Sequence, residues 1–169
     1  LAGNVRAACP ADIDIALLAA HYANLQPAAN PPLNLTMADA GCAREKFTAF
    51  LGQNLGPMVG YKAALTNPVV QKRFNHASPV RGTLFAQMLL PQGKELPARV
   101  GTRPFFEADL IVKVADADIN AATTPGAVLR HLSEIYPFIE LPDLIVADPG
   151  QLTGPGVVYI NAGARAGRG

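Results

Sequence analysis

The sequence predicts a single α+β domain in which two helices precede a turn-rich set of short strands. At 169 residues the chain is long enough to bury a core as one domain. Half of the residues are apolar and 16% are charged, a balance typical of globular proteins rather than disordered ones. The 15 Pro and 15 Gly residues divide the chain into short elements, as in a strand-rich fold with many turns.

The two longer helices are predicted in the first 55 residues. Pro10 suits a first helical turn, so we predict a helix over 10–25. Its apolar stripe comprises Ile13, Leu17, Ala20 and His21. Thr36 and Asp39 resemble a capping box, which predicts a second helix from there to about residue 54. Its apolar face comprises Ala40, Ala43, Phe47, Phe50 and Leu51.

Shorter elements follow the Gly56-Pro57 break. Strands are predicted over 58–65, 82–88, 104–114, 136–141 and 157–160. Asn67-Pro68 opens a short helix over 69–74. Thr124-Pro125 opens another, with Val128, Leu129, Leu132 and Ile135 facing inward. Residues 161–169 carry no core pattern and indicate either a chain cut in mid-domain or a disordered tail.

The strand over 104–114 carries the first chemical signal. Because side chains alternate along a strand, Glu107 and Asp109 share one side, opposite an apolar side. Two carboxylates this close repel each other unless a cation lies between them. They favour a hard divalent ion such as Mg²⁺. The alternative is a solvated edge strand with two surface acids.

Lys62 is the second signal, since it lies in an otherwise apolar predicted strand. It is either an edge residue that reaches water or a buried cation with a partner. A desolvated lysine acts as an acid, a base or an anion holder.

Composition and the two cysteines limit the expected partners and the cellular location of the protein. A net charge of +1 gives no reason to expect nucleic acid, and no apolar run is long enough to cross a membrane. A disulfide between Cys9 and Cys42 would imply an oxidising compartment, whereas two buried thiols would suit the cytoplasm. Because the chain begins at Leu1, we expect that a preceding segment was removed by a signal peptidase or by cloning. These points favour a periplasmic or secreted protein.

An ordered set of motifs resembles the 2-keto-4-pentenoate hydratases of the fumarylacetoacetate hydrolase superfamily, which also holds 4-oxalocrotonate decarboxylases. The motifs are Gly60-Tyr61-Lys62, Leu65-Thr66, Gly82-Thr83-Leu84-Phe85, Glu107-x-Asp109 and an isolated Glu140. The resemblance runs from about residue 36 to 167. It implies a mixed β-roll with flanking helices, incomplete at the C-terminus, in which a helical segment 1–55 precedes a partial roll 56–169.

The resemblance also implies the site and its chemistry. Mg²⁺ or Mn²⁺ would be held by Glu107, Asp109 and Glu140, and Lys62 would pair with the substrate carboxylate or move a proton. The expected substrate-binding residues are Lys62, Arg81, Leu84 and Phe85. The implied reaction is hydration or decarboxylation of a small 2-oxo or 2-hydroxydienoic acid through a metal-stabilised enolate, in a homo-oligomer.

Two departures from the family keep other functions open. The acid that hydratases carry before Gly-Thr-Leu-Phe is replaced by Val80-Arg81, and their Asp-Asn-x-Ser pattern reads 160–163 Ile-Asn-Ala-Gly. One alternative is a hydrolase of carbon–carbon bonds, which needs a His–Glu pair. The other is an exported, non-catalytic binding protein, in which Lys or an arginine such as Arg81 or Arg103 would neutralise the acids.

Overall fold

The computed structural model describes residues 9–163 and 167–168 and is an α+β fold. The helices in this part are α1 (Asp12–Ala23), α2 (Met37–Leu55), α3 (Pro68–Arg73), α4 (Pro125–Arg130) and α5 (Gly154–Tyr159). The strands are β1 (Met58–Ala64), β2 (Val80–Phe85), β3 (Leu89–Leu90), β4 (Glu107–Val114), β5 (Leu132–Glu140) and β6 (Gly167–Arg168).

The strands form two separate sheets. β1 and β2 make an antiparallel pair, and the second sheet has the order β3-β6-β5-β4. Within it β4 and β5 form a long antiparallel ribbon in which Glu107 lies opposite Glu140. β6 pairs with only the last two residues of β5, Ile139 and Glu140. The ribbon therefore brings two of the predicted carboxylates together at one end.

The core lies between the helices and β2. Helix α2 packs against α1, α5 and β2. Its buried face matches the predicted one, because Ala40, Ala43, Phe47 and Leu51 are buried and Phe50 packs partly against them. The predicted capping box is also confirmed: Asp39 N donates to Thr36 Oγ1 at 3.1 Å, and Thr36 N donates to Asp39 Oδ2 at 3.1 Å.

The predicted disulfide is confirmed. Cys9 and Cys42 are bonded, with their Cα atoms 5.6 Å apart, and the bond ties the segment before α1 to α2. No helix among the described residues is long and apolar enough to span a membrane.

Several element predictions were wrong. The buried face of α1 comprises Ile15, Leu18 and Tyr22. The Tyr22 ring packs edge-on against the Phe47 ring of α2. Leu17 of the predicted stripe is exposed.

Further errors concern the second half of the chain. The predicted helix after Thr124 ends at Arg130. Leu132 and Ile135, which were predicted to face inward from it, belong to β5, and Ile135 is exposed, as is Leu129 of the helix. The predicted strand over 157–160 is the helix α5. Residues 161–163, expected to lack a core pattern, are buried, while the expectation for 164–166 and 169 lies outside the described residues.

One face of the ribbon is entirely apolar and exposed. Directly paired residues share a face, so Ala108, Leu110 and Val112 lie beside Ile139, Pro137 and Ile135. Leu110 is 61% exposed. The opposite face, which begins with Glu107 and Asp109, is the one that turns towards β1.

Candidate metal and carboxylate site

Lys62 is held at the floor of the site by the pairing of β1 with β2. It lies opposite Gly82 in that pair. A Cβ at residue 82 would lie 2.9 Å from Cγ of Lys62, so the missing side chain leaves room for the lysine stem. The Lys62 side chain is only 7% exposed. A charge this well buried requires a partner.

Glu140 is that partner. It is the last residue of β5, its side chain is 13% exposed, and its Oε1 forms an ion pair with Nζ of Lys62. Nζ also donates to the carbonyl oxygen of Gly163 at 3.4 Å. Of the two interpretations of Lys62 from sequence, the structure therefore shows the buried cation with a partner.

Glu107 and Asp109 lie beside this ion pair on β4. Because Glu107 is directly opposite Glu140, two like charges face each other across the ribbon. The pKa of Glu107 is raised above its ordinary value, first by burial and then by the charge of Glu140, while the charge of Lys62 acts in the opposite direction. The site therefore holds more negative charge than Lys62 neutralises.

The turn at 161–163 closes the floor from the other side. All three residues have positive φ, of 55°, 56° and 70° in order. The Asn161 side chain accepts from Thr83 N at 2.7 Å and donates to Thr83 O at 3.0 Å, so it fastens the turn to β2. That attachment holds the Gly163 carbonyl within reach of Lys62.

These elements enclose a cavity of about 490 Å³. Its charged lining residues are Lys62, Arg73, Glu107, Asp109 and Glu140. Its larger apolar residues are Leu65, Val70, Phe74, Phe105, Leu144 and Val157. A concave site of this size with few, clustered charged groups is typical of small-molecule binding.

The donor set fits a hard divalent cation. Glu107, Asp109 and Glu140 offer only carboxylate oxygens, the ligands that Mg²⁺ and Mn²⁺ prefer. Glu107 and Asp109 form no ion pair with any described residue. The three carboxylates do not converge on one point, however, and no metal cluster of three or more such ligands exists in the described part of the chain. Glu140 is shared with Lys62 instead.

The other expected substrate-binding residues lie elsewhere. Arg81 stacks over the Tyr61 ring, with its Cζ 4.5 Å from the ring centroid. Phe85 is buried in the core, and the partly buried Leu84 packs against the same core. None of these three lines the cavity, so the structure brings together only Lys62 and the three acids of the expected set.

Arg103 does not neutralise the acids either. Its Nη1 donates to the carbonyl oxygens of Val146 and Ala147, at 2.9 and 2.7 Å. Its backbone N–H donates to the fully buried carboxylate of Asp143. Arg103 therefore has a structural role outside the site.

Sequence reasoning missed two residues of the site. Arg73 lines the cavity from the last turn of α3, and its only sequence signal was that position. In the sequence, Asn161 is only part of the departure from the family's Asp-Asn-x-Ser pattern. The Asn161 side-chain amide pairs with the backbone of Thr83, 78 positions away in the sequence. No local sequence pattern reveals such a contact.

Comparison with solved structures identifies the fold. A 4-oxalocrotonate decarboxylase from Pseudomonas putida G7, in complex with magnesium and adipate, superposes with a TM-score of 0.76 over 94% of this chain, at 19% sequence identity. The chain shares that enzyme's fold. The same decarboxylase with calcium and acetate gives a TM-score of 0.71 at 20% identity. No protein-family model matches the sequence.

The decarboxylase is longer than this chain. The match spans 63% and 62% of the two decarboxylase chains. At this identity the likeness establishes the fold alone, and activity has to be argued from the site.

Proposed function

We propose that this chain is a metal-dependent lyase acting on a small 2-oxo or 2-hydroxydienoic acid. The observation that carries the proposal is the cavity in which Lys62 lies beside Glu107, Asp109 and Glu140. The fold shared with a decarboxylase that binds magnesium and a dicarboxylate supports it.

Each residue of the cavity has a role in this proposal. Glu107, Asp109 and Glu140 would hold Mg²⁺ or Mn²⁺, which when bound supplies positive charge that stabilises an enolate. Lys62 pairs with the substrate carboxylate or moves a proton at the carbon next to the oxo group. Hydration and decarboxylation both use such an enolate. The finer proposals, a hydratase of the 2-keto-4-pentenoate type and a mixed β-roll of the fumarylacetoacetate hydrolase type, remain predictions.

A carbon–carbon hydrolase has less support. The cavity lining contains no histidine among the described residues. The His131 Nδ1 is 2.8 Å from Oδ1 of Asp116, but neither residue lines the cavity.

The second candidate is a non-catalytic binding protein, and the Lys62–Glu140 ion pair favours it. Such a pair neutralises one proposed metal ligand without any ion. Among the described residues neither Glu107 nor Asp109 forms an ion pair, and for this reason we place the lyase first.

Turnover tests the two candidates. With Mg²⁺ present, a lyase either consumes a 2-hydroxydienoate or releases CO₂ from a 2-oxo-enedioate. The first reaction is monitored by the loss of dienol absorbance. We expect Glu107→Gln to abolish either reaction. Lys113→Met, which removes an exposed lysine farther along β4, should leave it unchanged. Mg²⁺-dependent binding of both acids without turnover would support the binding protein instead.

We also propose export to an oxidising compartment, such as the periplasm, on the basis of the Cys9–Cys42 disulfide. The alternative is a cytoplasmic protein.

Self-association also remains a prediction. The apolar face of the ribbon supports it, because exposed patches of this kind commonly mark contacts with another polypeptide. Sedimentation equilibrium measures the mass directly.

A further inference from the structure

A second cavity of about 490 Å³ lies among the helices. Its walls come from Pro10 and α1, from the segment 28–35, from Asp39 near the start of α2, and from Tyr159, the last residue of α5. Among the described residues it shares none of its lining with the cavity around Lys62. The roles proposed above for a metal and a 2-oxo acid therefore leave the second cavity without a function.

The lining of the second cavity is negative and rich in hydrogen-bond acceptors. It contains Asp14 and Asp39 but, within the described part of the chain, no lysine or arginine. Three of its residues are prolines, Pro10, Pro31 and Pro32, which bring carbonyl oxygens but no N–H donor. A ligand that fits this lining has to bring positive charge and donors of its own.

Two buried polar atoms of the lining residues lack a hydrogen-bond partner. Asp39 is only 8% exposed, and its Oδ2 accepts from the backbone N and the Oγ1 of Thr36, at 3.1 and 2.6 Å. Its Oδ1 is buried and has no partner among the described residues, and the same is true of His21 Nδ1. Since leaving a buried polar atom unpaired is costly, the Asp39 oxygen calls for a donor that the described chain does not supply.

Asp14 adds an available charge to the same cavity. It is exposed and forms no ion pair with any described residue. Its charge reaches Tyr159 on the other wall, because the pKa of Tyr159 is raised first by burial and then by Asp14. Asp14 and Asp39 thus offer an incoming cation one exposed and one buried carboxylate.

The rest of the wall is apolar and well anchored. Leu17, Leu18 and Leu35 line the cavity beside the prolines, so they suit a compact hydrocarbon body. The segment 28–35 is fastened at Asn30, whose side chain donates to Asp148 O at 2.7 Å and accepts from Asp148 N at 2.9 Å. A wall held in this way is already in place before a ligand arrives, which lowers the entropy lost on binding.

We infer that the second cavity binds a small organic ammonium ion with a compact apolar body. The ammonium group carries the positive charge that Asp14 and Asp39 lack and has three donors, one of which satisfies Asp39 Oδ1. The leucines and prolines enclose the apolar body. This inference does not rest on the proposed function, because it concerns a different cavity.

The test compares benzylammonium, which is charged at neutral pH, with benzyl alcohol, a neutral molecule of similar shape. Calorimetry on the wild type at about 0.15 M salt should show about tenfold tighter binding of benzylammonium, as for one charge-assisted hydrogen bond. Benzyltrimethylammonium keeps the charge but has no N–H donor, so it should bind more weakly than benzylammonium.

Variants of α1 show whether the second cavity is the binding site. Asp14→Asn should remove most of the preference for benzylammonium and leave benzyl alcohol binding unchanged. We choose Asp14 because Asp39 also belongs to the capping box of α2, so its replacement would disturb the fold. Asp12→Asn is the matched control, since Asp12 shares the first turn of α1 but does not line the cavity.

Glu107→Gln separates the two cavities, since the carboxylates of the metal site also attract cations. Benzylammonium binding that persists in Glu107→Gln and weakens in Asp14→Asn supports the inference. Binding that is lost in Glu107→Gln would place the ammonium ion in the metal site and overturn the inference. Equal binding of benzylammonium and benzyl alcohol, an unchanged preference in Asp14→Asn, or no binding of benzylammonium would overturn it as well. None of these outcomes decides whether the metal site is a lyase.

Discussion

Lys62 has two competing partners in this account, the Glu140 carboxylate and the substrate. In the structure, Lys62 forms its ion pair with Glu140. A divalent ion that recruits Glu140 would loosen the pair and free the ammonium for a substrate carboxylate. Lys62 thus neutralises Glu140 in the absence of metal and would act on the substrate when metal is bound.

Replacing Lys62 by Met tests this competition. Removing one partner of a buried pair leaves the other charge unpaired, so we expect the free energy of unfolding to fall by about 3 to 5 kcal/mol. Mg²⁺ should bind about tenfold more tightly, because its competitor for Glu140 is gone. Lys113→Met is the control, since the Lys113–Glu134 pair is exposed and should contribute less than about 1 kcal/mol. Weaker Mg²⁺ binding in Lys62→Met would contradict the competition.

The pH dependence of stability follows from Glu107. Its pKa is higher in the folded chain than the ordinary value of 4.5. The folded chain therefore keeps this proton over a window that begins near 4.5 and extends upward, and the unfolded chain does not. Stability without metal should fall as pH rises through that window, and Glu107→Gln should remove this part of the fall.

Thermal unfolding in EDTA at a series of pH values makes the measurement. Glu134→Gln serves as control, since Glu134 lies on β5 outside the cavity. A wild type and Glu107→Gln with parallel pH profiles would show that the Glu107 carboxylate is not destabilised by its surroundings.

At the scale of elements, the packing of the turn at 161–163 onto β2 decides the geometry of the floor. Gly82 is the contact point, because a Cβ there would lie 2.5 Å from the carbonyl oxygen of Asn161. We expect Gly82→Ala to destabilise the chain by about 2 kcal/mol through overpacking, and to weaken acid binding by displacing Lys62. Gly60→Ala on the paired strand is the control, since nothing lies within 4 Å of its added Cβ. Urea unfolding curves compare the two variants, and equal midpoints would contradict the close contact.

Elements with strong local signals were predictable from sequence. The capping box of α2 and the Asn67-Pro68 start of α3 specify helix beginnings through side-chain hydrogen bonds to nearby backbone groups. The start of α5 carried the same kind of signal, since Thr153 accepts from Gly156 N at 3.4 Å ahead of an early proline. The β-branched run that followed outweighed it, and the element was predicted as a strand.

The site was predictable only in part, because its residues come from elements that are far apart in the sequence. Glu107 and Asp109 share a face by strand alternation, which a sequence reveals. Their nearness to Lys62 depends on how two separate sheets face each other, and this is a tertiary fact. The resemblance to a family supplied Glu140, but it also suggested Arg81 and Phe85, which lie outside the cavity.

At the scale of the whole molecule, the disulfide joins the segment before α1 to the helix at the centre of the core. Cys9 and Cys42 are 33 residues apart in sequence. Closing a loop of that length stabilises a chain by about 3 to 4 kcal/mol in the chain-entropy description. Cys9→Ser with Cys42→Ser should lower the unfolding midpoint accordingly, measured by calorimetric melting. A wild type whose midpoint is insensitive to dithiothreitol would contradict a stabilising role for the bond.

Mg²⁺ binding, measured by calorimetry with and without oxalate as an enolate mimic, tests the central claim of a metal and carboxylate site most directly. We expect the wild type to bind Mg²⁺ and oxalate to strengthen that binding. Glu107→Ala should abolish it, and Glu134→Ala should not. Absence of Mg²⁺ binding in the wild type, or equal binding in Glu107→Ala, would contradict the claim that these carboxylates form a metal site.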